Sequence, residues 1–104
     1  MSGFGIGINT QDKDAGVIKG EQMEVACDCW FTQTGRTIPK LIRFHDGQEV
    51  IHTIDRIKVN TCEEKNHTGI ATMEYDCTVI FKETEHLVKL IFFKQTCRWA
   101  LIFK

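Results

Sequence analysis

Residues 71–81 read A-T-M-E-Y-D-C-T-V-I-F. Ala71, Met73, Tyr75, Cys77, Val79 and Phe81 alternate with Thr72, Glu74, Asp76 and Thr78. Period two sustained over this length is the pattern of a β-strand with one apolar face buried and the other facing water. The fold class depends on how often that pattern recurs along the chain.

It recurs on both sides. Downstream, residues 82–85 form a tight polar connection, and residues 86–94 are apolar on both faces (Val88, Leu90 and Phe92 against Leu87, Ile91 and Phe93). Such a strand is expected to be central or covered by another layer. Gln95 and Thr96 then link to a last strand carrying Cys97, Trp99, Leu101 and Phe103. Upstream, residues 61–69 (T-C-E-E-K-N-H-T-G) read as a polar loop with room for a turn of helix. Residues 48–60 fit two patterns. Val50, Ile51, Ile54 and Ile57 make a helical stripe, and Asp46 with Glu49 has capping-box spacing. Their β-branched content favours a strand instead, with a bend near Asp55 and Arg56 where the alternation slips phase.

Asp46-Gly47 signals a hairpin turn. Residues 37–45 before it read as a strand with Ile38, Ile42 and Phe44 on one face. Pro39, on the opposite face, has no N–H for a ladder, so this strand is expected at an edge or to begin beyond the proline. Residues 24–31 alternate Val25, Cys27, Cys29 and Phe31 with Glu24, Ala26, Asp28 and Trp30. About six short, mostly antiparallel strands predict an all-β domain curled into a barrel or roll, with at most one short helix. An open sheet with a helix over it is the alternative.

Domain organisation is simple. Residues 1–22 hold Gly3, Gly5 and Gly7 and then the polar run N-T-Q-D-K-D-A-G, and read as a flexible leader. The glycines are not a phosphate loop, because no strand precedes them. Residues 23–104 read as one β-rich domain, the 104-residue chain being long enough for a single core. With 42% apolar and 26% charged residues the composition is that of a globular protein. No run approaches a membrane span, and the N-terminus has no secretory pattern, which points to the cytoplasm. Five cysteines, an odd number, then read as reduced thiols. Net charge is −1, with basic surpluses in residues 32–60 and 82–104 that make a positive face only if the fold brings them together.

The densest grouping of functional residue types is residues 29–44, C-W-F-T-Q-T-G-R-T-I-P-K-L-I-R-F. Gly35 serves a turn, and Phe31, Ile38, Ile42 and Phe44 read as core. That leaves Trp30, Thr34, Arg36 and Arg43 as the candidate binding residues. A metal site is a weaker candidate. Cys27 and Cys29 sit about 7 Å apart on one strand face, Cys62 and His67 share a loop, and Cys77 and Cys97 lie on apolar faces. No cofactor, metal ligand set or catalytic residue is assigned: the only serine is Ser2, and His45, His52, His67 and His86 are scattered.

The segment W-F-T-Q-T-G-R-T-I-P (residues 30–39), the following L-I-R-F and the later I-H-T-I (residues 51–54) resemble a group of small proteins of anaerobic Gram-positive bacteria. That resemblance covers residues 29–104 and implies a bacterial cytoplasmic domain, with no activity attached. The expectation is a non-enzymatic binding module with a protein partner, met at the 32–36 turn with Trp30 and Arg43. A single-stranded nucleic-acid binder using these residues and Arg98 is the alternative. Exposed Ile80, Leu87, Ile91 and Phe93, or an open β edge, would further permit self-association.

Overall fold

The 71–81 alternation builds an interior strand of a seven-stranded antiparallel sheet. The structure, a computed structural model, describes residues 16, 18, 20–45, 47, 48 and 50–104. The strands are β1 (Met23–Phe31), β2 (Thr37–His45), β3 (Ile51–Ile54), β4 (Ile57–His67), β5 (Ile70–Phe81), β6 (Thr84–Phe93) and β7 (Arg98–Phe103). Their order in the sheet is β3-β2-β1-β7-β6-β5-β4. No helix occurs among the described residues, and the sheet curls into a half-barrel.

The curl follows from connectivity. β3 and β4 are the two outer strands of the sheet, yet only Asp55 and Arg56 separate them in the chain. Opposite edges of a flat seven-stranded sheet stand about 29 Å apart, six steps of roughly 4.8 Å. Two linking residues span at most about 11 Å. The sheet must therefore bend until its edges meet at this corner, where the Ile80 N–H donates to the Arg56 carbonyl at 3.2 Å.

Bending gives the inner face an enclosed core without a second layer. Ile42, Ile54, Tyr75, Cys77, Val79, Val88, Leu90 and Leu101 are almost fully buried there. Trp99 packs at 4.8 Å from Phe92 and stacks on Tyr75 at 6.0 Å between ring centres. The other end of the core holds Phe44, Phe81 and Phe103, with His52 and His86 on either side of Phe81.

The outer face carries a smaller apolar cluster of Ile91, Ala100 and Ile102, against which Phe93 and Ile18 pack. The segment leading into β1 thus lies across the sheet. At Gly20 (φ +99°) an added Cβ would meet the Ile102 side chain at 2.9 Å, so the close approach requires glycine. The expected apolar patch on this face is therefore partly covered: Ile91 is buried, Ile80 and Phe93 are half-buried, and Leu87 remains exposed. Of the expected leader, residues 1–15, 17 and 19, including Gly3, Gly5 and Gly7, lie outside the described residues.

Beside this cluster sits a buried charged network. The carboxylate of Glu74 (4% exposed) meets His67 Nε2 at 2.5 Å and accepts from Thr72 Oγ1 at 2.9 Å. Lys89 and Lys65 stand 3.4 and 3.7 Å away. His67 Nδ1 lies 2.8 Å from the Gly16 carbonyl, so both ring nitrogens face acceptors. Burial pushes the Glu74 carboxyl up, but the hydrogen bonds from His67 and Thr72 and the two lysine charges outweigh it and leave the group below its ordinary value.

Several expectations need correction. Residues 61–69 are not a loop: β4 runs through to His67 and turns at Thr68-Gly69, both at positive φ (51° and 92°). β4 and β5 pair across most of their length, which makes polar residues such as Glu63 and Lys65 the wet face of a strand. Residues 48–60 do contain strand, divided at Asp55-Arg56 into β3 and β4. Of the signals before it, Asp46 and Glu49 lie outside the described residues. β2 is interior, between β3 and β1, but β3 reaches only Ile42–His45, so β2 has no partner on that side around Pro39. A register shift between Asp28 and Cys29 places Lys40 as the extra residue of β2. The phase change turns Thr37 and Pro39 inward and Ile38 outward, the reverse of the expected faces. Cys97 lies in an exposed turn at φ +56° and not on an apolar strand face.

Because its folded value is depressed, Glu74 contributes stability that is fully present above its ordinary pKa of 4.5 and is lost as pH falls through the folded value. Asp76, lowered chiefly by its hydrogen bond from Lys104, adds to the same acid limb. Glu74→Gln is expected to cost about 3 kcal/mol at neutral pH, since it removes the buried charge that His67, Thr72, Lys65 and Lys89 surround. It is also expected to flatten the decline of stability in acid. Denaturant melts from neutrality down through the carboxylate range check both.

Candidate functional site

β1 and β2 form a ribbon whose far end carries most of the residues singled out in the sequence. The connecting turn is internally bonded. Thr32 N–H donates to the Arg36 carbonyl at 2.7 Å and Gly35 N–H to the Thr32 carbonyl at 2.9 Å. Arg36 N–H donates to Thr32 Oγ1 at 3.0 Å, and that hydroxyl lies 3.1 Å from Thr34 Oγ1. Gly35 supplies the positive φ of +85° that closes the turn. Thr34 is thus partly a turn-building residue, while the Arg36 side chain is exposed.

Three large apolar side chains stand in solvent around this turn: Trp30 (64% exposed), Phe31 (68%) and Ile38 (36%). Trp30 pairs directly with Ile38, and Lys40 Nζ sits 4.3 Å over the indole ring. Phe31 and Ile38 were expected in the core and are not there. The bulge in β2 turns Ile38 outward, whereas Phe31 keeps the phase of Cys27 and Cys29 and is exposed because it lies at the end of the ribbon, features that alternation alone does not reveal. The adjacent pair Trp30-Phe31, apolar on both faces just before a polar turn, was the available signal.

The ribbon does not wave freely. Thr37, beside the turn, is buried, and the Tyr75 hydroxyl, itself deep in the core, donates to the Thr37 carbonyl at 2.6 Å. Burial outweighs that hydrogen bond and pushes the Tyr75 phenol up to about 12.

Arg43 is elsewhere. It lies seven residues after Arg36, roughly 23 Å along the strand, at the opposite end of the ribbon. There it lines a cleft of about 580 Å³ with Glu24, His45, Phe44, Arg98 and Trp99. The fold therefore separates the four candidates into Trp30, Thr34 and Arg36 at the tip and Arg43 at the base. It does bring the two basic segments together, because Arg43 and His45 come from one and Arg98 from the other. Glu24 offsets part of that charge through an ion pair with Arg98 at 2.9 Å.

The thiols show no grouping for metal. Cys27 and Cys29 are half-buried on the inner face, Cys77 is buried, and Cys62 and Cys97 are exposed. Four of the five had been expected as buried apolar residues. Burial raises the Cys27 and Cys77 thiols to about 12 and also raises Cys29, which disfavours the thiolate needed for ligation or attack. Among the described residues no cluster of three or more His, Cys, Asp or Glu side chains is placed to hold an ion. Among them, too, no helix is long and apolar enough to cross a membrane.

Comparison of the chain with protein-family models, with curated proteins and with solved structures finds no match.

Proposed function

We propose that this chain is a non-enzymatic recognition module of the bacterial cytoplasm whose ribbon end engages a protein partner. One observation carries the reading: Trp30, Phe31 and Ile38 stay in water on a turn that its own hydrogen bonds hold in shape. Keeping Trp and Phe exposed leaves unused the roughly 2–3 kcal/mol that burial of each would bring. Sequences retain such a patch where a partner covers it. Trp and Arg are the residue types that dominate binding energy at protein interfaces, and Trp30 and Arg36 flank the same turn. A rigid turn also lowers the ordering cost of association.

The geometry favours a protein over a single nucleic-acid strand. A strand needs a continuous basic track with stacking rings. Here Arg36 and Arg43 lie at opposite ends of the ribbon, and Arg98 is partnered by Glu24.

Capture of partners from the source cytoplasm tests the reading, with wild type set against Trp30→Ala/Phe31→Ala and against Leu87→Ala, an exposed leucine on the sheet body. The double variant is expected to lose at least about 30-fold in recovery of a specific partner, the scale of an interface hot spot. Leu87→Ala is expected to match wild type. Equal recovery by all three proteins removes the ribbon end from the site. Mixed-sequence single-stranded DNA and RNA are expected not to bind at low salt. Tight binding that falls steeply with added salt would replace the protein reading with the nucleic-acid one.

A further inference from the structure

We propose that the cleft at the base of the ribbon binds a small amphipathic anion, a carboxylate or phosphate monoester carried on a flat apolar body. This site is separate from the ribbon end and does not depend on the protein-partner reading.

The cleft arises because β1 changes partners partway along. Met23 to Val25 pair with β7, the last pair being Val25 with Trp99. From Ala26 onward the strand pairs with β2, beginning with Arg43. β2 nevertheless continues through Phe44 and His45, which pair with His52 and Ile51 of β3. Beyond Ala26 and Arg43 the two strands therefore fork apart, and Glu24 and Val25 face Phe44 and His45 with no ladder between them. A fork of this kind opens backbone edges as well as side chains to a ligand.

Size and lining match a small-molecule site. The volume of about 580 Å³ falls within the roughly 300–1,000 Å³ typical of ligand clefts. Phe44, Ile51 and Trp99 give it apolar walls, and Arg43, Arg98 and His45 supply few, localised polar groups. Two guanidinium groups against the single carboxylate of Glu24 leave the lining with one excess positive charge. That balance suits one anionic head group and not a polyanion. Glu24 holds the Arg98 guanidinium at 2.9 Å, whereas no described residue forms an ion pair with Arg43. The planar fork of Arg43 is thus available for the two-point contact that guanidinium makes with carboxylate or phosphate. Cys97, in the β6–β7 turn and fixed by its N–H bond to the Phe93 carbonyl at 2.8 Å, completes the wall.

Amide and indole NMR shifts of the full chain, titrated with phenyl phosphate, benzoate, inorganic phosphate and benzyl alcohol, test the site. At least one of the two aromatic anions is expected to shift Ala26, Arg43, His45, Arg98 and the Trp99 indole saturably. Whichever binds tighter assigns the head group. Inorganic phosphate and benzyl alcohol are expected to bind at least about tenfold more weakly, each lacking one half of the contact. Arg43→Gln should weaken binding by about tenfold or more, the scale of a charge-assisted contact. Glu24→Gln should tighten it several-fold by removing the competing carboxylate, and Leu87→Ala should leave it unchanged. The proposal fails if neither aromatic anion binds, if inorganic phosphate binds as well as either, or if Arg43→Gln has no effect. It also fails if an oligonucleotide displaces the probe and binds more tightly with each added nucleotide, which would make the cleft part of a strand-binding track.

Discussion

The two-residue corner at Asp55-Arg56 is the constraint on which the rest of the structure depends. It ties the two outer strands of a seven-stranded sheet together, and no flat sheet satisfies it. Curling then supplies what a single sheet of this size otherwise lacks, an enclosed apolar interior. Tyr75 lies at the floor of that interior, stacked on Trp99, and its hydroxyl reaches across to the Thr37 carbonyl on β2. The same curvature that makes the core therefore fixes the turn end of the β1–β2 ribbon.

The outer face follows a different logic. A sheet open to water on one side is ordinarily polar there, yet Ile91, Ala100 and Ile102 form an apolar strip. The segment preceding β1 resolves the conflict by laying Ile18 on the strip and passing Gly20 close against Ile102. Its other attachment is electrostatic, through His67 to the buried Glu74. Burying such a charge calls for compensation, and here His67 and Thr72 meet one carboxylate oxygen while Lys65 and Lys89 stand at ion-pair distance from the other.

Much of this architecture was legible in the sequence where alternation was strict. β1 and β5 followed from period two, and the doubly apolar β6, expected to be central or covered by another layer, is interior to the sheet. The slip in phase at Asp55-Arg56 marked the corner, though alternation gave no means of knowing that it joins opposite edges of the sheet. What escaped notice had physical causes. β4 is an outer strand exposed on both faces over residues 58–64, and its Glu, Lys and Asn residues look like a loop until the long pairing with β5 supplies the backbone bonds. The turn at Lys82-Glu83 was expected as a tight connection, although it holds both residues at positive φ without the Asn or Gly that usually announces one. One extra residue in β2 exchanged the faces of Ile38 and Pro39. The candidate site was half legible. Trp30 and Arg36 share an exposed turn, but Arg43 belongs to a cleft that exists only because β1 changes partners, a tertiary event with no local signature.

The account rests on the ribbon being a rigid extension of the curled sheet rather than a loose hairpin. Amide hydrogen exchange in Tyr75→Phe tests this most directly. The variant keeps the ring in the core but leaves the buried Thr37 carbonyl without its donor, at a cost of about 1–3 kcal/mol. The account predicts that exchange quickens selectively in the ribbon, from Trp30 through Gly35 to Ile38, while β5 and β6 keep their wild-type protection relative to global stability. Unchanged ribbon exchange, or a uniform loss across all seven strands, would contradict it.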